Sequence, residues 1–519
     1  MPSTKPLKKA KPAPAAPMAA IPGGMPFDPN APIKRKGPPT PNALRGMKDI
    51  LPVDQKYWMC IRNAAESLAS AHGFDRIDTP ILEETALFAR GIGKTTDIVE
   101  KEMFSFIDQG GENMTLRPEL TASLGRAYIN HGMWNQPQPI KWFTWGQVFR
   151  HERPQAGRFR QFTQAGLDCY GDRHPVVDAH LIFAAHRLFK DIGLDTLVLV
   201  NSVGDITSRE AYKEKLVAHY RSKRSQLCEN CKKRLVKNPM RMLDCKEEGC
   251  MAVRADAPQI VDHLNEESKN HFVRVLEYLD ELEVPYQLQP YLVRGLDYYG
   301  HTVFEVVGAD EAEKAGAQSA LAAGGRYDGL IEQLGGPSVP AVGFSWGVER
   351  IILKLKETNT PVPELPMPEV YLAQLGEPAR RKMLGLFNLL KEEGIRAAES
   401  FSRDALKAQL EIANRLGVRY TLILGQKEVL DGTILIRDMD SGIQEIVDFK
   451  KVTHELKKKL SQPAPPRVNL GPQPLPGAAP TPGPGLSQKE ERAMLGDEQK
   501  EKDEEEDEKE GKDKKEDKE

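Results

Sequence analysis

A chain of 519 residues holds two to four domains at roughly 100–200 residues each, and its 72 Lys and Arg against 75 Asp and Glu leave a net charge of −3 that argues neither for nor against a polyanionic partner. No apolar run approaches the ~18 residues that cross a bilayer, and the N-terminus lacks the apolar core of a secretory signal, so a cytoplasmic protein with no membrane partner is expected. Six cysteines exclude a disulfide scaffold for so long a chain.

Residues 1–43 are rich in Pro, Ala and Lys without apolar periodicity and read as a disordered arm, either solvated filler or an electrostatic tether for RNA. From Asp54, Tyr57, Ile61, Ala64, Ala65 and Leu68 recur at helical spacing, and Gly73 supplies a stop. A short strand over 74–79 ends at Pro80, which has no amide hydrogen to give a ladder. Arg117, Pro118 and Glu119 sit at a strand-to-helix junction, where an acid also complements the dipole of the coming helix.

Residues 140–150 alternate as a strand, with Ile140, Trp142, Thr144, Gly146, Val148 and Arg150 on one face. After a loop with Pro154 and Gly157, Arg160, Phe162, Gln164, Gly166 and Asp168 share a face of the returning strand. So many polar groups beside Phe162 and Trp142 point to a polar ligand, while Arg153, Gln155 and Arg158 crowd the tip. A helix over 176–190 and a strand over 197–200 follow.

Residues 206–283 turn polar, charged and helical, which marks an insertion between the segments 44–205 and 284–358. Within it, Cys228 and Cys231, then Cys245 and Cys250, form two pairs separated by residues 232–244. That spacing suits a tetrahedral structural Zn²⁺, with free thiols or a disulfide as the alternatives. Further on, 292–299 leads into 302–306 as an expected strand pair. Residues 323–329 and 343–352 each set glycines beside an arginine, but neither is a dinucleotide fingerprint or a phosphate loop, so nucleotide binding requires another fold. Prolines 361, 363, 366 and 368 mark a linker over 359–368. Strands at 370–375, 395–398, 421–424 and 433–436 alternate with helices at 377–393 and 404–416, giving an α/β domain over 369–460. Residues 461–519, Pro-rich and then almost wholly charged, have too little apolar surface to order.

Taken together, 44–460 resembles histidyl-tRNA synthetase, a class II aminoacyl-tRNA synthetase. The helix, strand and Pro80 resemble the first class motif, which forms the dimer interface; Phe149, Arg150, His151 and Glu152 with the loop and strand resemble the second; 343–350 resembles the third. The segments 292–299 and 323–328 resemble motifs particular to the histidine enzyme. The resemblance implies an α+β catalytic domain on an antiparallel sheet in two parts, 44–205 and 284–358, a helical insertion domain, and an anticodon-binding-like α/β domain. It implies a homodimer that joins L-histidine to ATP, as its Mg²⁺ complex, and passes the histidyl group from the adenylate to tRNA(His).

By motif position the resemblance gives Arg150 the α-phosphate, Arg294 that phosphate and the substrate carboxylate, and Arg350 the adenine and terminal phosphate, with Glu152 also at ATP. Glu119, Thr121 and Gln164 take the ammonium, and Asp168 and Tyr299 the imidazole, with Tyr298 beside it. Leu120 stands in the histidine-binding stretch where Gly is common, and Asp168 is one methylene shorter than the Glu often found there, which leaves open whether it reaches the ring directly or through water. Arg153, Gln155 and Arg158 are expected at the acceptor end of the tRNA. The family does not generally require metal at the cysteines. The rival readings are a histidine sensor like the regulatory subunit of ATP phosphoribosyltransferase, which lacks the C-terminal domain and tends to lose the arginines, and an RNA-binding scaffold, which leaves the histidine-specific motifs unexplained.

Overall fold

The computed structural model describes residues 41–93, 96–154, 157–310 and 320–462; the expected disordered arm up to 40, the tail beyond 462 and Gln155 lie outside them. The chain divides after Pro363 into two compact units.

In the first unit the helix expected from Asp54 is Gln55–Ala71 (α1), which buries Ile61, Ala65, Leu68 and Ala69 as one stripe. The strand expected at 74–79 shrinks to Asp75–Arg76 (β1). Buried Arg117 is the reason: its Nη1 donates to Thr79 O at 2.8 Å and Thr79 Oγ1 at 2.9 Å, and its Nε to Gln147 O at 2.8 Å. The carbonyl that a neighbouring strand would use is thereby satisfied by a guanidinium.

Leu82–Glu84 (β2), Thr85–Gly91 (α2), Phe104–Ile107 (β3) and Asn113–Leu116 (β4) build a small sheet of order β2-β4-β3 with its helix, and Thr121–Asn130 (α3) follows. Ile140–Phe149 (β5) and Gln161–Tyr170 (β6) form the expected hairpin. Pro175–Asp191 (α4) and Thr196–Ser202 (β7) precede the insertion, whose helices are Ile206–Ser222 (α5), Glu229–Lys237 (α6), Glu248–Ala255 (α7) and Glu266–Glu281 (α8). Tyr286–Leu288 (β8), Gly300–Gly308 (β9), Ala322–Arg326 (β10), Leu330–Gln333 (α9), Ala341–Gly347 (β11) and Val348–Glu357 (α10) complete the unit.

The main sheet has the order β1-β5-β6-β11-β10-β9-β7-β8. Its centre is antiparallel, and only the edge pairs β1·β5 and β7·β8 are parallel. One face is closed by α1, α4, α8 and α10 over Phe143, Leu167, Phe304, Val306 and Trp346. On the other, Trp142, Tyr170, Val303 and Tyr327 share a core with Tyr212, Leu216 and Tyr220 of α5 and with Cys231. The insertion thus belongs to the same compact unit as the sheet.

Residues 292–299 are no strand, contrary to expectation; only β9 forms. Asn201 Nδ2 donates to Pro290 O at 3.1 Å and Leu292 O at 3.0 Å, and Asp297 N bonds Ile92 O at 3.1 Å, so this segment's polar backbone is met by side chains and loops.

In the second unit, Val370–Gln374 (β12), Glu377–Glu392 (α11), Ala397–Glu399 (β13), Leu406–Arg415 (α12), Tyr420–Leu424 (β14), Gln426–Asp431 (α13), Thr433–Asp438 (β15), Gln444–Asp448 (β16) and Val452–Leu460 (α14) form a sheet of order β13-β12-β14-β15-β16 with helices around it. Strand β16 was not anticipated, because Gln444, Glu445 and Asp448 give it no apolar alternation.

Candidate active site

The open face of the main sheet carries a cavity of about 570 Å³, a size suited to an organic ligand of a few dozen atoms. Its floor follows from register. Thr144, Gly166, Ser345, Ala323 and Glu305 lie opposite one another across β5, β6, β11, β10 and β9, so one transverse row is built almost wholly of small residues. The next row is Gly146, Gln164 and Gly347. Of these residues Ser345, Ala323, Glu305, Gln164 and Gly347 line the cavity, while the space over Gly146 is taken by the Arg117 guanidinium.

Around this floor stand the charged groups. Arg150, at the end of β5, donates from Nε to Pro118 O at 2.9 Å and lies 5.4 Å from the centre of the Phe162 ring. Arg294 pairs with Glu305 through Nη1 and lies 5.8 Å from the centre of the Tyr299 ring. Arg158 Nη1 meets Glu152 at 3.1 Å, and Arg350 Nη1 donates to Ala320 O at 2.7 Å. Glu119 accepts from Thr121 N at 2.8 Å and Ala122 N at 2.7 Å, holding the start of α3. Burial raises its pKa, against the pull of those two amides. Glu119 therefore serves both the helix start and the cavity wall. Three buried polar atoms of lining residues, Gln164 Oε1, Arg294 Nε and Trp346 Nε1, have no partner among the described residues. Buried groups of this kind are costly unless a ligand or water completes them.

Asp168 is buried behind this wall and does not line the cavity. It accepts a hydrogen bond from Tyr327 Oη, and burial pushes its pKa up to about 7, against that bond. Opposite it in β11 is Gly343, where a Cβ would stand 2.9 Å from both the carboxyl carbon and Tyr327 Oη; only glycine leaves room for the carboxylate. Tyr298, Tyr299 and Tyr327 cluster at ring distances of 4.6 to 6.2 Å.

The family model for histidyl-tRNA synthetase matches residues 46–351. The chain belongs to the histidyl-tRNA synthetase family. The anticodon binding domain model matches 369–459. Histidine–tRNA ligase of Pelotomaculum thermopropionicum is 44% identical over 418 residues, covering 80% of this chain and 97% of the relative. The ligase of Geobacillus sp. strain WCH70 is 42% identical over 419 residues, covering 80% and 99%. The solved structure of apo S. aureus histidyl-tRNA synthetase matches with a TM-score of 0.67 at 36% identity, over 80% of this chain and 100% of that one.

Of the residues singled out from the sequence, Glu119, Thr121, Arg150, Glu152, Arg158, Gln164, Arg294, Tyr298, Tyr299 and Arg350 line the one cavity. Leu120, almost wholly buried, and Arg153, exposed at the hairpin tip, do not. Several lining or supporting groups went unrecognised in the sequence: Glu305, which pairs Arg294; Tyr327, which holds Asp168; and Asp97 and Arg241, which meet at 3.1 Å on the cavity wall. Only the histidine-family segment around 323–328 offered a sequence signal, and only for Tyr327.

The four cysteine sulfurs Cys228, Cys231, Cys245 and Cys250 all lie within 4.8 Å of one another. Cys228 Sγ is 3.9 Å from Cys245 Sγ, near the ~3.8 Å edge of a tetrahedron with 2.3 Å metal–sulfur bonds and far from a disulfide. Cys231 N and Cys228 N point at Cys228 Sγ and Cys250 Sγ at 3.4 and 3.3 Å, the donors that stabilise thiolate.

The raised pKa of Asp168 has a consequence for stability. Its folded value, about 7, exceeds the unfolded value near 4, so the folded chain holds a proton that the unfolded chain releases, and stability falls as pH rises through that window. Asp168→Asn removes the titration. The unfolding free energy of the native chain relative to this variant should therefore fall by ~1–4 kcal/mol between pH 4 and 8. Parallel denaturation curves at both ends of the range would show that Asp168 does not titrate there.

Proposed function

We propose that the cavity on the open face of the main sheet is where the chain joins histidine to ATP, with the buried, unpartnered Gln164 Oε1 and Arg294 Nε as the observation that carries the reading. As a histidyl-tRNA synthetase, the chain activates histidine with ATP to histidyl-adenylate and transfers the histidyl group to tRNA. A carboxylate attacks the α-phosphate, already ionised at neutral pH, so the step needs in-line placement and fixed positive charge rather than a general base.

The residues support a division of that work. Arg150 and Arg294 take the α-phosphate and the substrate carboxylate, since both are held by protein contacts with the cavity still open to them. Arg350 and Glu152 serve ATP, which enters as its Mg²⁺ complex. Glu119, Thr121 and Gln164 accept the ammonium, and Tyr298 and Tyr299 flank the imidazole. Asp168 acts from behind through Tyr327 as a positioning residue. Leu120 packs beneath the site. Arg158 bridges the cavity and the hairpin tip, where Arg153 and Gln155 meet the acceptor end of the tRNA. The two parts 44–205 and 284–358 form the catalytic domain around the helical insertion, and 369–460 takes the anticodon.

The chain works in the cytoplasm as a homodimer. Leu82, Phe106 and Ile107 of the small sheet are exposed, which gives a second copy apolar surface to cover, and no helix among the described residues is long and apolar enough to cross a membrane. The four cysteines hold a structural Zn²⁺; all four positions are filled, so the metal shapes the fold and does not meet substrate.

ATP–pyrophosphate exchange with each amino acid in turn should respond to histidine alone, and Arg294→Ala should lower kcat/KM by roughly 10²–10³-fold, as loss of one preorganised charge contact does. Exchange with no amino acid would favour the sensor reading. Light scattering should give a mass near twice the 57.9 kDa chain; the single-chain mass would remove the dimer. Metal analysis of chain purified without chelator should find about one zinc per chain, and well under one would refute the metal site.

A further inference from the structure

The stretch between the two cysteine pairs is the part of the insertion that reaches the cavity. Cys228 caps the start of α6, and the 3₁₀ segment Pro239–Asp244 ends at Cys245. Cys250 lies in α7, from which Arg254 Nη1 donates to Leu243 O at 2.7 Å. Both ends of this short hairpin, and the helix that grips it, are therefore tied to one cluster of thiols.

Its other side faces the cavity. Arg234 of α6 and Arg241 of the 3₁₀ segment each meet Asp97 Oδ2 at 3.1 Å, and Lys237 meets Glu100 at 3.2 Å. One carboxylate oxygen is shared by two guanidinium groups, so Asp97 occupies only part of the Arg241 fork where that residue lines the cavity. Arg241 also lies over the backbone of the histidine-family segment. A Cβ on Gly295 would stand 2.7 Å from Arg241 Nη1, so the glycine beside Arg294 is the space that Arg241 occupies. From Asp97 the contacts continue through the single turn Ile98–Glu102, whose Glu102 O accepts from His151 N at 2.6 Å, next to Arg150 and Glu152.

We infer that the four-cysteine site anchors a latch: the bound metal holds α6 and the 3₁₀ segment so that Arg241 presents its guanidinium to the phosphates of ATP and braces the turn behind the β5–β6 loop. The inference rests on the zinc reading given above. Arg241 is one more phosphate-facing cation of the adenylation site, supplied by the insertion. Its neighbours Met242 and Leu243 are buried and fix the middle of the segment, while the thiols fix its ends. Metal loss therefore loosens the placement of Arg241 without removing the segment from the core.

The test is ATP–pyrophosphate exchange on the full chain, with metal content measured on each sample. Arg241→Ala should raise KM for ATP roughly 10- to 100-fold, as loss of a charge-assisted contact does, with KM for histidine and the zinc content unchanged. Arg241→Lys, which keeps the charge but not the fork, should recover part of the loss. Chelator-stripped native chain and Cys245→Ser should show the same selective rise, and zinc should reverse it in the stripped chain. An unchanged KM for ATP in Arg241→Ala, or a rise confined to KM for histidine, overturns the assignment of Arg241. A selective rise in Arg241→Ala with an unchanged KM for ATP in stripped, folded chain overturns the latch while the metal site stands. Native chain without metal refutes the zinc reading and the latch with it.

Discussion

Charged groups in this protein are held at close range by backbone, and the backbone comes close because glycine stands where the charge lies. Asp168 occupies the space over Gly343, and Arg241 that over Gly295; a methyl group at either place would displace the charged side chain. The same economy of volume makes the floor of the cavity, where Ser345 and Ala323 are neighbours across β11 and β10. Strand pairing decides the placement. A slip of one residue would turn Phe344 or Leu167 toward the cavity side and Ser345 or Gly166 into the helix-covered core. The eight-stranded register is therefore at once the fold and the shape of the site.

This register also sorts the charges. Arg294 with Glu305, Arg158 with Glu152, and Arg234 and Arg241 with Asp97 are settled in pairs or triads. Burial alone raises the pKa of Asp97, but the two arginines and Lys101 outweigh it and hold the carboxyl below its usual range. The carboxylates fix the guanidinium groups in place and leave their remaining N–H donors oriented.

The hairpin at the centre of the site was legible because strand parity is a period-two property: Gln164, Gly166 and Asp168 share a face in any strand. The helix α1 and the cysteine pairs were legible for similar reasons, a 3.6-residue stripe and a ligand spacing. What was not legible depends on partners far away in the chain. The strand at 74–79 is cut short by Arg117, and in the segment 292–299, which leaves the sheet, Asn201 takes the Leu292 carbonyl and Ile92 O the Asp297 amide. The reach of Arg241 into the cavity depends on Asp97, in a segment with no pattern linking it to the cysteines. Asp168 was placed on the correct face, yet the tyrosine that bonds it comes from the turn after β10. Periodicity reports which way a side chain points; it does not report what stands in front of it.

That distinction bears on how the site can work without a base. Two unit charges 4 Å apart interact by about 1 kcal/mol in bulk water and by about 4 kcal/mol at an effective dielectric constant of 20. In the role proposed for Arg150, Arg294 and Arg350, their value to a transferring phosphoryl group depends on how much water the walls exclude and on how little the cations must move. Contacts to Pro118 O, Glu305 and Ala320 O hold the three in place. On the same proposal histidine is recognised in this enclosure, where a tyrosine cluster backed by a buried acid is suited to the task. Its hydroxyl groups offer polar contacts without adding a full negative charge beside the reacting phosphate. Asp168 itself is buried off the cavity and bonded to Tyr327, so its carboxyl does not stand in the cavity wall.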